Sequence, residues 1–76
     1  MNYDLAMMAL EGLTRSPMSV THDGNAVVIE GNASSFRELA RLCLLLGSAD
    51  GTDDAFELQP GVHVTGSSPG VHLRLI

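Results

Sequence analysis

The chain has 76 residues, 45% of them apolar and 17% charged, and its nine carboxylates against four arginines give a net charge of −5. Such a length allows one domain with a thin core, because a chain this short buries only about 60% of the surface its unfolded form exposes. The composition is too apolar for a disordered chain, and no uninterrupted apolar run reaches the length of about 20 residues that a transmembrane helix needs.

Residues 3 to 14, Tyr-Asp-Leu-Ala-Met-Met-Ala-Leu-Glu-Gly-Leu-Thr, are rich in strong helix formers, with Asn2 or Asp4 placed to cap the start and Pro17 beyond the end. On a helical wheel Leu5, Met8, Ala9 and Leu13 share one face, and Tyr3, Met7 and Leu10 gather on another. A helix apolar on two faces has to bury both, which in so small a domain points to a second chain.

Asp23-Gly24 is a favoured hairpin turn. With those two residues as the loop, His22 pairs with Asn25, Thr21 with Ala26, Val20 with Val27, Ser19 with Val28 and Met18 with Ile29. Met18, Val20, Val27 and Ile29 then share one face, with Ser19, Thr21 and Glu30 on the other. A turn at Gly24-Asn25 would set His22 against Val27 and is disfavoured on that ground.

Ser35-Phe-Arg-Glu38 has the form of a capping box and predicts a helix running to about Leu46, with Gly47 as a left-handed stop. Its expected core face is Phe36, Leu39, Ala40, Cys43 and Leu44. Arg37, Glu38 and Arg41 mark the solvent face, with Leu45 among them and Leu42 on the boundary.

Residues 48 to 54 read as an acidic loop. Phe56 and Leu58 alternate with Glu57 and Gln59 in a short strand that ends at a Pro60-Gly61 turn. Val62 and Val64 are candidates for a further short strand. After a loop at 66 to 70, Val71, Leu73 and Leu75 alternate with His72 and Arg74 in a last strand. The expected fold class is α+β: N-terminal helix, β-hairpin, helix, then two or three strands, in an antiparallel or mixed sheet with helices on one face. The chain reads as one domain, 1 to 76, in which residues 1 to 15 form a docking or dimerisation helix and residues 16 to 76 form a hairpin-helix-strand core.

The chemistry-bearing residues do not converge. His22, His63 and His72 stand singly with no helical i, i+4 pair, so no metal site is expected. Cys43, flanked by leucines, has no cationic neighbour in the sequence to activate it. Ser67-Ser68 lacks a marked oxyanion hole, and Asp53-Asp54 reads as a solvated loop. Gly-Ser-Ser-Pro-Gly lacks the lysine and following helix of a phosphate loop. No catalytic residue, cofactor or metal is therefore expected, and the chain is not read as an enzyme. The acidic field disfavours nucleic acid and anionic membranes and favours a basic protein, although its plainer role is to keep an apolar chain soluble. With one cysteine and no signal-peptide pattern, a cytoplasmic location is expected.

Four segments together form a pattern: Val-Thr-His-Asp-Gly-Asn-Ala-Val-Val-Ile-Glu-Gly-Asn (20–32), Phe-Arg-Glu-Leu-Ala-Arg-Leu-Cys-Leu-Leu-Leu (36–46), Phe-Glu-Leu-Gln-Pro-Gly (56–61) and Gly-Ser-Ser-Pro-Gly-Val-His-Leu-Arg-Leu (66–75). This pattern resembles a small immunity-protein family of bacterial polymorphic toxin systems, the one numbered thirty-two, over roughly the last three-quarters of the chain. The resemblance implies an intracellular protein that binds and blocks a cognate toxin, and it carries over no residue role. The order of hairpin, helix and strands is also similar to the β-grasp fold of ubiquitin-like proteins. Carriers of that class use a flexible Gly-Gly tail, whereas Leu75-Ile76 closes an expected strand here, so a conjugation or sulfur-carrier role is not implied.

The functional expectation is a non-catalytic protein-binding module of the immunity or antitoxin-like inhibitor type. The alternative is an accessory or structural subunit of an enzyme complex, or a homodimeric scaffold. Its partner would be a cognate toxin, an enzyme subunit or its own copy, met through Tyr3, Met7, Leu10, Leu42 and Leu45.

Overall fold

The computed structural model describes residues 2–48 and 54–76, so the expected acidic loop falls mostly outside the described residues. The elements in chain order are α1 (Tyr3–Arg15), β1 (Ser19–Asp23), β2 (Ala26–Glu30), α2 (Ala33–Gly47), β3 (Ala55–Leu58) and β4 (Val71–Arg74). The fold is α+β: a helix, a hairpin, a second helix and two further strands. The strands form two separate two-stranded antiparallel ladders, β1-β2 and β3-β4.

Asn2 caps α1, its side chain accepting the Leu5 N–H at 3.1 Å. Asn32 does the same for α2, accepting the Ser35 N–H at 2.8 Å. The expected box is thereby shifted back by one turn. Ser35 lies inside the helix, fully buried, and its hydroxyl donates to the Ser16 carbonyl at 2.7 Å, tying the end of α1 to the start of α2. Glu38 takes no part in capping. Gly47 does not act as a left-handed stop either: it is helical, and Ser48 closes the helix through its N–H on the Leu44 and Leu45 carbonyls.

The hairpin forms with a different register from the one expected. Asp23 pairs with Ala26, His22 with Val27, Thr21 with Val28, Val20 with Ile29 and Ser19 with Glu30, which makes Gly24-Asn25 the loop. Gly24 has φ of 62°, and among the described residues none other than glycine has positive φ. A turn at Asp23-Gly24 would place Asp23 in that strained region, whereas a glycine in the first central position takes it without a Cβ clash. The two registers differ by two residues and so leave the same side chains on the same faces. Alternation alone could not separate them. The His22–Val27 pair is tolerated because both residues are exposed at the outer end of the hairpin.

β3 and β4 pair Phe56 with Leu73 and Leu58 with Val71, so the expected alternation holds on both strands. Val62 and Val64 form no strand: the Pro60-Gly61 turn is closed by Val62 N–H on Gln59 C=O at 3.1 Å. Val64 instead sits in an isolated parallel bridge with Met18, in which Met18 N–H donates to His63 C=O (3.2 Å) and Thr65 N–H to Met18 C=O (2.8 Å). Ser68, also buried, accepts the Val20 N–H at 2.9 Å. The 63–68 segment thus satisfies the outer edge of β1 and joins the two ladders.

The core is Ala6, Ala9 and Leu13 of α1, Met18 and Val20, Leu42 and Leu46 of α2, Phe56, Leu58 and Val64. α1 supplies three of these residues, so it is built into the core rather than appended to it. Both helices are rotated from their expected orientation. On α1 the inward stripe is Ala6, Ala9, Gly12 and Leu13, which leaves Leu5 and Met8 outside. On α2 it is Ser35, Glu38, Leu42 and Leu46; Phe36, Ala40, Cys43 and Leu44, expected in the core, are exposed. The cause is the contact between the helices. A Cβ on Gly12 would lie 2.6 Å from a Glu38 carboxylate oxygen and 2.7 Å from its Cγ, so only glycine lets α2 come this close with Glu38 turned inward. Arg41 pairs with the Glu38 carboxylate from the solvent side, in keeping with the need of a buried charge for a partner.

Candidate functional site

The five side chains singled out as an interface do not form one patch. Leu42 is fully buried in the core, because the rotation of α2 turns it inward, and it is unavailable to a partner. Leu10 is half-buried and packs against the core. Tyr3 and Met7 are exposed, but on the side of α1 away from α2. Leu45 is half-buried and lies at the junction of the two helices.

Around that junction the structure places a different set of residues. Leu5, Met8 and Ala9 from α1 and Arg41, Leu44 and Leu45 from α2 line a groove of about 460 Å³. Ala9 is too small to fill the space between the helices and is buried beneath it, so the larger side chains stand around a gap. Leu5 is 50% exposed, Met8 63% and Leu44 71%. Met8 and Leu5 belong to flexible, strongly apolar types that fit irregular partner surfaces, methionine above all.

The charges of this face are divided between the helices. Asp4 and Glu11 are exposed on α1, which ends at Arg15, and Arg37 and Arg41 are exposed on α2. Among the described residues the one salt bridge is Glu38–Arg41, and Asp4, Glu11, Arg15 and Arg37 have no ionic partner among those residues. An apolar groove with acid along one side and base along the other is suited to holding a complementary protein surface.

Elsewhere the polar groups are used internally. Ser68 Oγ, besides accepting from Val20, lies 2.6 Å from Thr65 Oγ1. His63 Nδ1 accepts the Gln59 N–H at 3.1 Å, and desolvation by burial holds its imidazole below the ordinary pKa of 6.5. His72 Nδ1 lies 3.1 Å from an Arg74 guanidinium nitrogen. Among the described residues no cluster of His, Cys, Asp and Glu is arranged to hold a metal ion, and no helix is long and apolar enough to cross a membrane.

Leu5, Met8 and Leu44 escaped sequence reasoning because bulky apolar residues were turned inward on both helices. The signal that identifies them is the run of small residues, Ala6, Ala9 and Gly12, which marks the close-packed side of α1 and leaves the large side chains outside it. Comparison with protein-family models, curated proteins and solved structures finds no match.

Proposed function

We propose that this chain is a non-catalytic protein-binding module with the paired helices as its docking face, and that it acts as an immunity-type inhibitor of a cognate bacterial protein. The observation that carries the reading is the exposure of Leu5, Met8 and Leu44 around one groove. Fully burying a leucine or methionine is worth about 1.5–3 kcal/mol, so a thin-cored domain that leaves three of them on one face gains most by covering them. The net charge of −5 supports a basic target. The inhibitor form is supported by the resemblance carried by residues 20–32, 36–46, 56–61 and 66–75.

Co-expression with the product of the adjacent reading frame tests the function. The expected result is a complex that survives purification and suppresses that product's activity. Full activity of the product with no complex formed would contradict it.

A further inference from the structure

α1 and α2 run antiparallel, with Gly12 beside Glu38, the Ser16 carbonyl bonded to Ser35, and Leu5 and Met8 at the level of Leu44 and Leu45. Glu11 is therefore level with the stretch of α2 between Arg37 and Arg41. The outer surface of the helix pair has acid on α1 (Asp4, Glu11), base on α2 (Arg37, Arg41) and an apolar groove between them. In one face-to-face orientation such a surface sets acid against base.

We propose that the occupant of this face is a second copy of the chain, related by a two-fold axis running along the groove, with α1 of each copy lying over α2 of the other. The proposal rests on the reading of the helix layer as a docking face and names what covers it while no target is bound. In this arrangement Glu11 of each copy lies between Arg37 and Arg41 of the other. Arg15 falls opposite the uncharged first turn of the other copy's α2. Leu44 is carried over the second copy's Leu5, Met8 and Ala9, so the side chain most exposed on one groove fills the gap of the other. Turning the axis across the helices sets α1 over α1 and α2 over α2, which takes Glu11 of each copy away from Arg37 and Arg41 of the other. Charges flanking an apolar seam set partner and orientation in helical bundles in this way. The product is a four-helix layer with isologous contacts and the two strand ladders on its outer sides.

Sedimentation equilibrium of the full chain tests the proposal. At micromolar concentration the expected mass is twice the 8.0 kDa of one chain. Leu44→Glu, at an exposed position, is expected to give a monomer with an unchanged circular dichroism spectrum. Glu11→Arg is expected to weaken the dimer by about tenfold or more and Arg37→Glu to weaken it less, and the double variant Glu11→Arg/Arg37→Glu to recover part of the loss seen in Glu11→Arg alone, because the swap restores one of the two opposite-charge contacts across the axis. A chain that stays monomeric overturns the proposal, as does a dimer indifferent to Leu44→Glu or a charge swap without recovery. A monomer that still holds its target through Leu44 leaves the binding-module reading standing, whereas a dimer that binds no target does the reverse.

Discussion

Leu42 and Leu44 lie two positions apart on α2 in opposite surroundings, one fully buried and the other 71% exposed. Leu42→Ala is expected to cost about 2–5 kcal/mol, because it removes buried methyl groups and leaves a cavity that the surrounding side chains fill only in part. Under conditions that keep the chain monomeric, Leu44→Ala is expected to change stability by no more than about 0.5 kcal/mol. Urea denaturation of the two variants measures both, and comparable costs would mean that α2 is rotated differently. A second residue-scale effect lies at His63. Burial lowers its pKa, so between its unfolded and folded values the unfolded chain binds more protons than the folded one. Its contribution to stability is therefore complete above 6.5 and is lost as the pH falls from there through the folded value. Denaturation midpoints taken above and below 6.5 should differ less in His63→Gln than in the parent chain; an unchanged pH slope would remove His63 as the cause.

At the scale of elements, the decisive contact is Gly12 against Glu38. In an exposed helix, glycine to alanine gains about 1 kcal/mol, but here the new methyl group meets the Glu38 side chain. Gly12→Ala is expected to be less favourable in the parent chain than in a Glu38→Ala background, and a double-mutant cycle by thermal denaturation reads the coupling. Additive effects would mean that the helices are not this close. The same contact shows what the sequence could and could not reveal. Helix positions, the Asp23-Gly24 neighbourhood as a hairpin, and the alternation of Phe56 and Leu58 with Glu57 were legible, because local propensity and period decide them. Which face of α2 turns inward was not, since Phe36, Cys43 and Leu44 make as good an apolar stripe as Leu42 and Leu46. The choice falls to a glycine on another helix, a tertiary effect that no local pattern in α2 encodes. The hairpin register was hidden for a related reason: both alternatives keep the same faces, and only the positive φ demanded of the first loop residue separates them.

At the scale of the whole molecule, the strands and helices close one core from within and leave the outside unevenly finished. The outer edge of β1 is satisfied by the 63–68 segment and Ser68, whereas the outer side of the helix pair carries large apolar residues that are half or more exposed. Leu45 alone of the five expected interface residues belongs to that groove. An interface near the helix pair was thus legible from the excess of apolar side chains, but its exact members depend on the rotation of both helices. The central claim is that this helix face is where the protein meets its partner. Methyl-resolved NMR with a soluble paramagnetic probe, recorded on dilute and on concentrated or target-bound chain, tests it most directly. The methyl groups of Leu5, Met8 and Leu44 should become shielded from the probe on assembly while Val27 and Ile29 of β2 stay accessible. Shielding of the hairpin with the helix face left open would contradict the account.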